Sequence, residues 1–131
     1  MNSGPSRYSE ALYALMRFVV GALFACHGAQ KLFGALGGQV ATDKPLMLVA
    51  GIIEFGGGFL MAVGLLTRIA AFVAAGEMAV AYFMVHAPQG FWPIVNKGEM
   101  AVSNCFVFLF IGAYGGGRYS LDHAIRGART A

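Results

Sequence analysis

The sequence predicts an all-α membrane protein, with four transmembrane helices in one antiparallel bundle and both termini in the cytoplasm. Three observations carry this expectation. The composition is too apolar for a short soluble domain, the apolar residues fall into four runs near the length of a bilayer crossing, and the basic residues collect at the edges of those runs.

The composition sets the class. Hydrophobic residues make up 58% of the 131-residue chain and charged residues 11%, against roughly 45–50% and about 25% in soluble domains. Mean hydropathy is +0.67. A domain of this size buries only about 60–70% of the surface its unfolded chain exposes, so the apolar excess needs lipid as solvent. The basic balance, nine Lys and Arg against six Asp and Glu, forms no stripe with interleaved aromatics. No nucleic-acid partner is therefore expected; the lipid bilayer is.

The elements follow in order. One domain, 1–131, is expected, with helices at about 11–34, 45–66, 68–87 and 98–114 and a tail at 115–131. Each run is near the roughly 20 residues that cross a 30 Å hydrocarbon core, the fourth being the shortest. The runs are continuous rather than alternating, and backbone groups in lipid must pair internally, so they read as helices. The opening MNSGPSRYSE is polar, and the run after it exceeds a signal h-region of about 7–15 residues. The first helix is thus expected to act as an uncleaved signal anchor.

GALGGQVATDK, from Gly34 to Lys44, reads as a loop, and Pro45 suits a first helical turn. Leu66-Thr67-Arg68 is a tight turn that makes helices two and three an antiparallel hairpin. APQGFWPIVNKGE, from Ala87 to Glu99, reads as an interfacial loop with Phe91 and Trp92 in the aromatic belt. Gly115-Gly116-Gly117 stops the fourth helix, and the tail offers a short amphipathic turn with Leu121 and Ile125 on one face.

Orientation follows from charge. With four spans, Arg7, Arg17, Arg68, Arg118, Arg126 and Arg129 share one side, and Lys31, Lys44 and Lys97 the other. The positive-inside rule puts the arginine side in the cytoplasm. Small residues recur at packing spacing, as Gly21, Ala25 and Ala29 in helix one and Ala70 and Ala74 in helix three, and helix two carries the run Gly56-Gly57-Gly58. The glycine run is expected to face a neighbour in a tight pairing of helices two and three.

Charges inside a span cost about 2.5–3.5 kcal/mol each on insertion scales, so they point to function. His27 and Lys31 lie one turn apart near the outer end of helix one. Glu54 and Glu77 each lie about 14 Å from the start of their helices, near mid-membrane. His86 closes helix three and can serve as a gate or proton relay. These five residues, His27, Lys31, Glu54, Glu77 and His86, are expected to form one polar cluster, as a structural ion pair or as a ligand-binding site. Arg17 and Arg68 are expected to snorkel to the inner interface, and Asn104 to bond between helices. Cys26 and Cys105 form no CxxC, and no metal-ligand spacing occurs.

At these residues the sequence resembles the DoxX family of bacterial membrane proteins. The segments that carry the resemblance are Met16-Arg17-Phe18 through Gly21, HGAQKLFG from His27, GIIEFGGGFLMAVGLLTR from Gly51, GFWP from Gly90, NKGEMA from Asn96 and GGGRYSLD from Gly115. The resemblance implies a four-helix bundle in the bacterial inner membrane, in a family linked with thiosulfate and quinol oxidation. More distantly, the bundle is similar to the vitamin K epoxide reductase membrane fold. That fold uses a thiol pair, and this chain has no CxxC.

Three functions stay open. The first is an accessory or anchoring subunit of a membrane redox complex, with protein partners in that complex. The second is a subunit that binds a quinone or a small sulfur substrate, and the third a small transporter or channel. No covalently bound cofactor is expected; quinone and lipid are the candidate ligands.

Overall fold

A computed structural model describes residues 4–130, and every described regular element is helical. Helix α1 spans Arg7–Phe33. It starts one turn before the apolar run, because Ser6 caps it by accepting the Ser9 N–H at 3.1 Å. Gly34, at φ +66°, ends it in the left-handed conformation that glycine adopts without strain. Helix α2 spans Pro45–Val63 and α3 spans Thr67–Gln89. A four-residue helix α4, Pro93–Asn96, leads into α5, Glu99–Tyr114. The tail, expected as a short turn, forms a ten-residue helix α6, Leu121–Thr130.

Three helices, α1, α2 and α3, are long and apolar enough to cross a membrane, at 27, 19 and 23 residues. The fourth apolar helix, α5, has 16 residues, roughly 24 Å at 1.5 Å per residue. The surface is apolar as lipid requires, with Phe18, Leu23, Phe59, Phe72, Phe83 and Phe106 all exposed. The chain is a helical membrane protein.

Two helix pairs carry the packing, and they differ from the expected one. Helix α2 pairs most densely with α1, and α3 with α5, while α2 and α3 touch less. Of the glycine run, only Gly58 is at a close crossing. A Cβ there would lie 2.4 Å from the Ala25 nitrogen and 2.6 Å from the Gly21 carbonyl oxygen. Gly57 would meet only the Ala70 oxygen at 3.8 Å, and Gly56 nothing within 4 Å. On α1 the small-residue face runs through Gly21, Ala25 and Gly28, because a Cβ at Gly28 would lie 2.2 Å from the Phe55 nitrogen. Helix α3 turns Ala70, Ala71, Ala74 and Ala75 inward, where Phe24, Met61, Phe108 and Ile111 complete the core. Phe24 and Phe108 pack with tilted rings at 4.7 Å between centroids, tying the two pairs together.

The end of the bundle where α2 turns into α3 is closed by polar side chains. Arg17, expected to snorkel, is only 4% exposed. It donates from Nε to the Met61 carbonyl at 2.8 Å and from Nη2 to the Tyr119 carbonyl at 3.0 Å, and also to Gly116. Snorkelling loses because the Gly116 and Tyr119 carbonyls, in the non-helical segment between α5 and α6, need a donor. Arg68 likewise donates to the Gly112 and Tyr114 carbonyls at the end of α5, at 3.2 and 3.4 Å. Glu10 accepts the Tyr114 hydroxyl and, at 2.8 Å, the Arg118 N–H. The Asp122 carboxylate caps α3 from a distance, accepting the Leu66 and Thr67 N–H groups at 2.8 and 2.9 Å and the Thr67 hydroxyl at 2.7 Å.

Candidate functional site

At the opposite end the helices splay around a cleft of about 680 Å³. His27, Lys31, Glu54, Glu77 and His86 all lie on its lining, beside Phe24, Ile53 and the methionines Met47, Met78, Met84 and Met100. Most of the wall is apolar, and methionine lets it yield to the shape of a guest.

The polar part starts at α1, where His27 and Lys31 are one turn apart and emerge on the same face. Lys31 Nζ lies 2.7 Å from Glu54 Oε2. The contact is close but lacks hydrogen-bond alignment, so Oε2 is held by charge alone. Glu54 is 4% exposed. Glu77, from α3, interacts electrostatically with both Glu54 and Lys31. Its Oε2 is buried and has no hydrogen-bond partner among the described residues. One ammonium thus serves two carboxylates, and part of the carboxylates' bonding capacity is unused. Buried polar groups are paired in the great majority of proteins, which makes each exception informative.

Two irregular turns set the geometry. Helix α2 is π-helical over Ile53–Gly57, which contains Glu54, and α3 over Tyr82–His86, which ends at His86. A π turn inserts an extra residue, rotates the side chains that follow, and is frequent at functional sites. In α3 the irregularity runs into the 3-10 turn Ala87–Gln89, where Pro88 withholds a donor from the ladder.

The loop expected between 87 and 99 is more ordered than its prolines and glycines imply. Asn96 is 1% exposed and works as its hub. Its amide donates to the Gly90 carbonyl at 2.6 Å and the Tyr82 hydroxyl at 3.2 Å, and its Oδ1 accepts the Gly98 N–H at 2.8 Å. His86 Nδ1 lies 3.2 Å from the Asn96 carbonyl oxygen. The hub therefore fixes His86 and Lys97 at the cleft rim. Asn96 and Lys97 were not expected at the site. Nothing in the sequence signals this: in Asn-Lys-Gly the glycine is the residue suited to a left-handed turn, yet Gly98 lies at φ −95° and Lys97 takes φ +64°.

The remaining polar candidates lie elsewhere. Asn104 is half-buried and away from the cleft lining. Cys26 is exposed, Cys105 is half-buried, and both are free thiols. Among the described residues no group of three His, Cys, Asp or Glu side chains is placed to hold a metal ion.

Comparison with known proteins returns one kind of relative. Residues 12–87 match the DoxX family; they include all five expected site residues and both π turns. An "Uncharacterized protein" of Haemophilus influenzae is 40% identical over 124 residues, covering 89% of this chain and 92% of the relative. No solved structure matches the chain. On the extent of the family match and of this relative, the chain belongs to the DoxX family.

Proposed function

We propose that this chain is a multi-pass subunit of the bacterial inner membrane that holds a small amphiphile of the quinone class in the cleft, as an accessory to a membrane redox complex. One observation carries the reading: an apolar cleft of about 680 Å³ whose polar wall is a Lys31–Glu54 pair and a Glu77 oxygen with no hydrogen-bond partner among the described residues. A ring with polar substituents and an apolar tail suits such a wall. A quinol hydroxyl donates to the free Glu77 oxygen; a quinone carbonyl accepts from Lys31 or from a protonated His27. His86 and Lys97 stand at the rim, where the ligand would enter. Ligand pockets of this kind are mostly apolar, with a few converging polar groups. The electron acceptor or donor belongs to a partner protein, and the exposed Phe91, Trp92, Ile94 and Val95 around α4 give such a partner an apolar surface.

The topology belongs to the same proposal. We take α5 as a fourth span, since it runs beside α3 and Arg68 caps its last carbonyls. Both termini then lie on the arginine side, in the cytoplasm. A C-terminal reporter active only in the cytoplasm is the expected result; activity only outside it overturns the orientation.

Titration of the detergent-solubilised chain with a short-chain naphthoquinone tests the ligand. Binding is expected, and Lys31→Met/Glu54→Gln should weaken it about tenfold or more, the loss of one hydrogen bond to a charged group. No binding by the wild-type chain, or equal binding by the double variant, overturns the reading.

A further inference from the structure

Helix α6 takes no part in the cleft, yet it is the most strongly amphipathic element of the chain. In LDHAIRGART, Leu121, Ala124, Ile125 and Ala128 recur at spacings of three and four and share one face. His123, Arg126 and Arg129 occupy the rest of the circumference, and Arg118 stands just before the helix. Leu121 and Ile125 are 46% and 43% exposed, so the chain does not cover its apolar face.

The position of α6 is fixed at its start. The Asp122 N–H donates to the Gly64 carbonyl at 2.8 Å, and the Asp122 carboxylate holds Leu66 and Thr67. Ser120 Oγ accepts the His123 N–H at 3.1 Å, capping the helix. The first turn of α6 is thereby fastened to the α2–α3 turn, where two apolar spans end. That is the level of a bilayer surface.

We infer that α6 lies in the plane of the bilayer and binds anionic phospholipid headgroups through Arg118, Arg126 and Arg129, with Leu121 and Ile125 among the acyl chains. Three arguments select this occupant. A basic helix that is strongly amphipathic, yet polar along most of its circumference, is the signature of interfacial binding. Arg7 and Arg68 lie at the same end, and with Arg118, Arg126 and Arg129 they outnumber Glu10 and Asp122, whose carboxylates face Arg118 and Arg126, so the edge keeps a net positive charge toward a negative surface. The apolar face, two aliphatic and two alanine side chains, is far smaller than the roughly 800 Å² per partner of a stable protein interface.

The test uses the full chain with Cys26→Ser and Cys105→Ser, one copy per nanodisc, and an environment-sensitive fluorophore attached through Ile125→Cys. The discs contain phosphatidylcholine alone or with phosphatidylglycerol. Quenching by acrylamide, a neutral water-soluble quencher, reads exposure. Quenching is expected to fall several-fold in the anionic discs, while a probe at His123→Cys, on the opposite face, stays exposed in both. Arg126→Gln/Arg129→Gln should restore quenching toward its value in neutral discs, since each arginine near an anionic surface contributes about fivefold in binding. Equal quenching of the Ile125 probe in both disc types overturns the proposal. So does protection that appears only with two copies per disc, which would make a second chain the occupant. None of these readouts involves the cleft, so they stand apart from the quinone reading.

Discussion

The two ends of the bundle treat buried charged groups in opposite ways. At the α2–α3 end, Arg17 donates to four carbonyls, and Asp122 accepts three hydrogen bonds. Each group there has its partners in the chain. At the cleft end, Lys31 meets Glu54 at one contact, and Glu77 Oε2 has no hydrogen-bond partner among the described residues. Leaving a buried acceptor unmade costs about 1–3 kcal/mol. A charged residue inside a membrane protein is therefore ambiguous until its partners are counted. A satisfied one holds the fold together, and an unsatisfied one is where the proposed ligand is placed.

The largest expected effect lies at the satisfied end. Arg17→Met removes a donor from the Met61, Ala62, Gly116 and Tyr119 carbonyls, but Met61 keeps the Gly64 N–H; with Gly116 and Tyr119 orphaned at about 1–3 kcal/mol each, the loss should be about 2–6 kcal/mol. Thermal unfolding in mild detergent reads it; a midpoint within a degree or two of wild type would show that water or lipid serves those carbonyls instead.

The packing between the ends sharpens the contrast. Gly58→Ala drives a methyl group into the α1 backbone and should cost about 1–3 kcal/mol. Gly57→Ala has open space and should be neutral, or more stable by up to about 1 kcal/mol through helix propensity. Equal effects of the two substitutions in the same unfolding assay would refute the α1–α2 crossing described above.

Much of the fold was legible because its physics is local. Run length, Pro45, Gly34 and the short Leu66-Thr67-Arg68 turn give the helix order without tertiary information. Partner choice was not legible. The three glycines at 56–58 look alike in sequence, and only the π turn at Ile53–Gly57 decides which one faces α1. The roles of Arg17 and Glu10 depend on a tail about one hundred residues away, and no span-level rule connects them. The five cleft residues stood out for their cost in lipid, whereas Asn96 sat hidden in a loop where polar residues are ordinary.

A smaller effect is expected at Asp122, which lies outside the spans. Burial favours its protonated form, but the Thr67 and Leu66 N–H groups, the Thr67 hydroxyl and the Arg126 charge outweigh this and hold the carboxyl below its ordinary value of 3.8. Its folded-state proton affinity is therefore lower than in the unfolded chain. The stabilisation is fully present above about pH 3.8 and is lost as pH falls through the depressed value. Asp122→Asn should cost about 1 kcal/mol at neutral pH, on the scale of a helix cap partly screened by water. It should also flatten the acid limb of the unfolding midpoint against pH. An acid limb as steep in the variant as in wild type would remove Asp122 from this role.

Glu77→Gln tests the central contrast most directly, with the unfolding midpoint and naphthoquinone affinity measured on the same preparation. The substitution keeps the shape of the side chain and removes the carboxyl group from a wall where a single ammonium lies near two of them. The account predicts an unfolding midpoint equal to or above that of wild type, together with a loss of affinity of about tenfold or more. A midpoint several degrees lower with affinity unchanged would mean that Glu77 is a structural residue, and that the two ends of the bundle do not differ as described.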